Sequence, residues 1–104
     1  MGIKNSKDFE DFVGSKQIEG TALASMSADD LAFFKAQLKF SDAGFPGGYW
    51  GDIVRDNSMS ESDLGDFVSG VFGVDKEEFL KCLHYFGQTD GTCVPRQYWN
   101  CPYC

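Results

Sequence analysis

Residues 60–73 read Ser-Glu-Ser-Asp-Leu-Gly-Asp-Phe-Val-Ser-Gly-Val-Phe-Gly, and their spacing decides how the body of the chain is read. Leu64, Phe67, Val68, Val71 and Phe72 fall at i, i+3, i+4, i+7 and i+8, which lines one side of a helix with apolar groups. Ser60 stands three residues before Asp63, so its hydroxyl can accept from a backbone N–H that has no helical partner. The carboxylate then sits at the positive end of the helix dipole. Gly73 ends the run.

The same grammar extends in both directions. Downstream, Asp75-Lys76-Glu77-Glu78 predicts a second capped start, for a helix that carries Phe79, Leu80, Leu83 and Phe86 on one face and closes at Gly87. Upstream, Met26-Ser27-x-x-Asp30-Leu31-x-x-Phe34 matches Met59-Ser60-x-x-Asp63-Leu64-x-x-Phe67, and Asp8-Phe9-x-x-Phe12 echoes part of it. Two copies are too few for a solenoid, and any capped amphipathic helix produces this pattern.

The helix expected over about residues 28–39 buries Leu31, Phe34 and Leu38, whereas Phe33 and Phe40 lie roughly opposite at 100° per residue. It is therefore central in a bundle, or it offers Phe33 and Phe40 to a partner. Gly44-Phe45-Pro46-Gly47-Gly48 reads as a connector, with Tyr49, Trp50, Ile53 and Val54 lining a short helix after it. No phosphate-cradling glycine motif is present.

Nothing in residues 1–86 alternates with period two over a useful length, so the expectation is an all-α fold. It is a small bundle of four or five short helices over residues 1–86, with an irregular Cys-rich C-terminal tail over residues 87–104 that packs on the body or on a partner.

Bulk properties narrow the function. The chain has 104 residues and a hydrophobic content of 42%, enough for one domain with a real core. Its net charge of −7, with no run of cations interleaved with aromatics, opposes nucleic-acid binding. No apolar stretch approaches the roughly 18 to 20 residues that span a bilayer, and the N-terminus lacks a secretory apolar core. Met1-Gly2-Ile3-Lys4-Asn5-Ser6 fits the acylation pattern that makes Gly2 a myristoyl acceptor, which gives weak membrane association only if Gly2 is acylated. The bland alternative is an ordinary chain start.

All four cysteines, Cys82, Cys93, Cys101 and Cys104, lie in the last part of the sequence. From Gly87 onward the only charges are Asp90 and Arg96, and Tyr98, Trp99 and Tyr103 crowd the end. Three chemistries compete. Disulfides would tether the tail to the last helix through Cys82, with three pairings possible for four cysteines. Zinc could use the Cys101-x-x-Cys104 pair with Cys82 and Cys93, although the gap between the latter two is wider than a knuckle uses. His84 could replace a ligand, but on an intact helix it points roughly 160° away from Cys82.

Dithiol redox chemistry is the third. Cys101-Pro102-Tyr103-Cys104 resembles the C-P-Y-C active-site motif of glutaredoxins, which implies that Cys101 attacks and Cys104 resolves. In that family the motif opens a helix whose dipole lowers the thiol pKa. Here no helix follows, the four residues are the whole match, and the β-α-β pattern is missing from the rest of the chain.

No other catalytic constellation surrounds His84, and the acid pairs Glu10/Asp11, Asp29/Asp30 and Glu77/Glu78 sit at helix starts where the dipole accounts for them. The expectation is a non-enzymatic interaction or accessory subunit of a larger protein assembly, without a resident cofactor. Tyr98, Trp99 and Tyr103 form its partner contact, and Phe33 and Phe40 a second patch. A thiol redox or zinc protein is the alternative, and a precursor whose tail is a modified peptide stands further off. Disulfides would place the chain in an oxidising compartment, and free or metal-bound thiols in the cytosol.

Overall fold

The computed structural model describes residues 3–42 and 44–104. Its helices are α1 (Ser6–Val13), α2 (Ala28–Gln37), α3 (Gly51–Asn57), α4 (Glu61–Phe72) and α5 (Lys76–Cys82), with single 3-10 turns at Lys16–Ile18 and Ala22–Ser25. Four strands join them: β1 (Lys39–Phe40), β2 (Pro46–Tyr49), β3 (Leu83–Gly87) and β4 (Cys93–Asn100). The strands form one antiparallel sheet in the order β1-β2-β4-β3. The fold is therefore mixed α and β, which corrects the all-α expectation.

The helices obey their caps. In α4 the Asp63 N–H donates to Ser60 Oγ at 3.0 Å while the Ser60 N–H donates to Asp63 Oδ2 at 3.2 Å, a closed capping box. Gly73 follows at φ 72°, in the left-handed region that glycine adopts at little cost. Leu64, Val68 and Phe72 are buried, and Phe67 and Val71 pack on the same core.

The correction begins at Cys82. The predicted helix through Phe86 stops there: Leu83 turns to φ −69°, ψ 141°, and Leu83–Gly87 runs on as β3. The consequence for His84 is direct, because the angle expected between it and Cys82 belonged to a helix that has already ended. A run as short as Leu83-His84-Tyr85-Phe86 fits either period, and its aromatic content suits a strand once a neighbour supplies hydrogen bonds.

That neighbour is β4, which replaces the expected irregular tail and lies between β2 and β3. Asp90-Gly91 sits in the reversal that joins it to β3, with Gly91 at φ 88° and the Gln88 N–H donating to the Thr92 carbonyl at 2.8 Å. Pro95, which lacks an N–H, lies on the half of β4 that pairs with β3 alone. Likewise Pro46–Tyr49, expected as connector and helix start, is β2, and α3 begins only at Gly51.

Trp50 organises the core. It is wholly buried, with ring centroids 4.9 Å from Phe34, 5.4 Å from Phe79 and 5.8 Å from Phe72, all near edge-to-face. Its backbone N–H donates to the Tyr98 carbonyl at 2.8 Å, which ties the start of α3 to β4. Among the described residues no helix is long and apolar enough to cross a membrane.

Candidate functional site

Opposed residues in an antiparallel pair share a face, and Tyr49 on β2 stands opposite Trp99 on β4. Their neighbours alternate: Asn100 is buried while Trp99 is half-buried. Four rings consequently form a continuous row across four elements. Phe33 of α2 meets Tyr49 at 5.9 Å, Tyr49 meets Trp99 at 5.3 Å, and Trp99 meets Phe86 of β3 at 4.8 Å. Successive rings are inclined by 83°, 46° and 87°, so the row is corrugated rather than flat.

Arg96 lies over the far end, its guanidinium carbon 4.6 Å from the Phe86 centroid and 6.0 Å from that of Trp99. The ring quadrupoles attract this cation, an interaction of about 0.5–1 kcal/mol at an exposed site. Beside the row runs a groove bordered by Trp99, Phe86, Gly47, Gly48, Pro102 and Lys39. Arg96 and Lys39 are both exposed and make no ion pair among the described residues.

Two glycines set the approach of the last turn to the sheet. A Cβ at Gly47 would come within 2.8 Å of Pro102 Cγ and 2.9 Å of the Asn100 carbonyl oxygen, and one at Gly87 within 2.8 Å of Pro102 Cδ and 3.2 Å of the Tyr103 ring. Larger side chains at either position would push Pro102 away.

The row depends on a bulge. Pairing of β3 with β4 runs Gly87↔Cys93, Phe86↔Val94 and Tyr85↔Pro95, then jumps to Leu83↔Asn100, so residues 96–99 bow out opposite His84. His84 at φ 74° and Tyr98 at φ 61° occupy left-handed backbone, a conformation that costs non-glycine residues about 1–3 kcal/mol each. The imidazole offsets part of this cost. Its Nδ1 accepts the Tyr98 N–H at 2.9 Å, its Nε2 lies 3.3 Å from Glu61 Oε2, and its ring meets that of Tyr98 edge-on at 5.0 Å. The bonded tautomer is the one with its proton on Nε2.

The cysteines stand in two pairs at disulfide distance. Cys82 and Cys104 have Cα atoms 5.7 Å apart, and Cys93 and Cys101 have Cα atoms 5.9 Å apart. The two cysteines of the C-P-Y-C stretch are thus bonded to different partners, and none of the four is a free thiol. A four-thiolate zinc site would gather them around one point. Among the described residues no group of three or more His, Cys, Asp or Glu side chains is placed to hold a metal ion.

The expected contact residues separate accordingly. Trp99 is the centre of the row and Phe33 its exposed end, at 45% of full exposure. Tyr98 is held in the bulge, and Tyr103 is exposed next to Gly87. Phe40 lies apart from the row, half-buried with its ring 6.2 Å from Phe72. Gly2 lies outside the described residues.

Tyr49 and Phe86 of the row, and Arg96 over its end, were not among the contact residues expected from sequence. The hairpin signal at Asp90-Gly91 could have found Phe86 by pairing β3 with β4.

One further charged cluster joins helices. Arg55 contacts Asp30 of α2 at 2.9 Å, Asp52 at 3.1 Å and Asp56 at 3.2 Å, and the Asp56 carboxylate foremost holds its pKa above the ordinary arginine value. No protein-family model, curated protein or solved structure matches the chain.

Proposed function

We propose that the protein is a non-catalytic interaction module whose corrugated aromatic row receives an extended segment of a partner protein. The observation that carries this reading is the unbroken, partly exposed sequence Phe33, Tyr49, Trp99, Phe86 with Arg96 over its end. Tilted rings leave clefts that accept aliphatic or prolyl side chains, and large rigid aromatics lose little entropy on contact.

Charge selects among segments. The molecule carries −7 overall and would repel an acidic partner over most of its surface, yet Arg96 and Lys39 stand beside the row with no ion pair among the described residues. A segment with a carboxylate near its apolar residues therefore gains at this site alone what it loses elsewhere. In this reading the module serves as an accessory subunit, and its two cysteine pairs at disulfide distance favour an oxidising compartment.

A displayed peptide library selected on the oxidised protein tests the reading. Selected peptides are expected to combine apolar residues with Asp or Glu, and Trp99→Ala to weaken them by at least about 30-fold, the loss of a 2 kcal/mol hot spot. Enrichment of basic peptides, or full binding to a folded Trp99→Ala variant, would overturn it.

A further inference from the structure

We infer that the Cys82–Cys104 disulfide is a redox-cleavable clamp on the groove beside the aromatic row, and that Cys93–Cys101 is its permanent anchor. The inference rests on the binding role of the row and adds its regulation.

Access separates the two bridges. Cys104 is exposed, and the Cys82–Cys104 pair borders a surface hollow shared with Ser41, Phe45, Glu78 and Lys81. Each bridge has one buried cysteine, Cys82 and Cys101, so access is set by their partners: Cys104 is exposed, whereas Cys93 is half-buried. Thiol–disulfide exchange needs an incoming thiolate at a sulfur, so exposure orders the two reactions. Lys81, in the last turn of α5, and Glu78 set one cation and one carboxylate at the hollow, which is open to a low-molecular-weight thiol.

The step balances with two equivalents of such a thiol. The first thiolate bonds to Cys104 Sγ as the Cys82–Cys104 bond breaks, and Cys82 leaves as a thiolate that takes a proton. The second thiol attacks the mixed disulfide, releasing Cys104 as a thiol and the oxidised reductant as its dimer. The protein gains two electrons and two protons in total.

Pro102 links this bridge to the row. It borders both the hollow and the groove, and it lies where a Cβ on Gly47 or Gly87 would be. In the oxidised state it is held from both sides, by Cys101 bonded to Cys93 and by Cys104 bonded to Cys82. Cleavage of the outer bridge leaves Cys101 in place, with its N–H still 3.4 Å from the Cys82 carbonyl oxygen, and frees Pro102 and Tyr103 to leave the two glycines. The groove then loses one wall without loss of β4.

Graded reduced and oxidised glutathione, followed by maleimide trapping and peptide mapping, reads the first part. Cys82 and Cys104 are expected to be labelled at poises where Cys93 and Cys101 are not. Simultaneous labelling of all four, earlier labelling of Cys93 and Cys101, or labelling of Cys82 and Cys93 through reshuffling would each overturn the clamp.

Amide exchange at Gly47 and Gly87 reads the second part without any ligand. Exchange at least tenfold faster after selective reduction and in the Cys82→Ser/Cys104→Ser variant supports it, and unchanged exchange overturns it. A peptide selected on the oxidised protein should lose about tenfold in affinity in both cases and regain it when the wild type is reoxidised. If no peptide is selected at all, the binding role falls while labelling and exchange still decide the clamp.

Discussion

Removal of the outer bridge by Cys82→Ala/Cys104→Ala has a calculable cost. The bridge spans a sequence separation of 22, and closing a loop of that length removes chain entropy from the unfolded state worth about 3.4 kcal/mol. For a chain of 104 residues, with an unfolding entropy of about 2.1 cal/mol/K per residue, the corresponding fall in melting temperature is about 15 °C. Alanine nearly fills the place of the buried Cys82, so little packing energy is lost with the bond. Guanidinium chloride melts of oxidised wild type and variant, with calorimetry, supply both numbers. The slope of free energy against denaturant should also rise, since the unbridged unfolded chain exposes more surface. A domain with the usual 5–15 kcal/mol of stability survives this loss, which the clamp requires. A shift below about 4 °C with an unchanged slope would refute the reasoning, because the loop would then be equally constrained without the bond.

Three further outcomes follow from named contacts. His84→Ala removes the acceptor of the Tyr98 N–H beneath the bulge and should cost about 1–3 kcal/mol, read by urea unfolding, with faster amide exchange at Tyr98 than at Val94; equal protection at both would count against the imidazole as the support of the bulge. Trp50→Ala should cost about 3–5 kcal/mol, whereas Trp50→Phe should cost much less, because the buried Nε1–H has no acceptor among the described residues and its loss removes a penalty along with the packing. The Asp90 carboxyl is held below its ordinary value by the Thr92 hydroxyl and then the Thr92 N–H. Its contribution is therefore complete above the unfolded carboxylate range and is lost as pH falls through the depressed folded value. In an NMR titration Thr92→Val should move the Asp90 midpoint upward, and an unmoved midpoint would remove the hydroxyl as the cause.

The starts of α2, α4 and α5 were legible because each is decided locally. Ser27, Ser60 and Asp75 each accept a hydrogen bond from the N–H three residues on, and such a bond is written in four consecutive letters. The sheet was not legible in that way, because its partners are distant. Pro46–Tyr49 contains two glycines and a proline, a composition that argues for a turn, and it becomes a strand through pairing with Lys39, Phe40, Trp99 and Asn100. For Leu83–Gly87 the local evidence was ambiguous and β4 resolved it, with Asp90-Gly91 as the signal that sequence reasoning passed over.

The site shows the same division in sharper form. Trp99 and Asn100 are adjacent, and the pleat sends one outward to the row and the other into the core, where the Asn100 Nδ2 donates to the Pro46 carbonyl. That buried hydrogen bond fixes the register of β4 on β2, and the register brings Trp99 against Tyr49. A one-residue slip would exchange their faces and bury the indole beneath the sheet. Phe33, Tyr49, Phe86 and Trp99 therefore become neighbours only after the register is set, which is why composition could nominate Trp99 as a contact residue without revealing its companions.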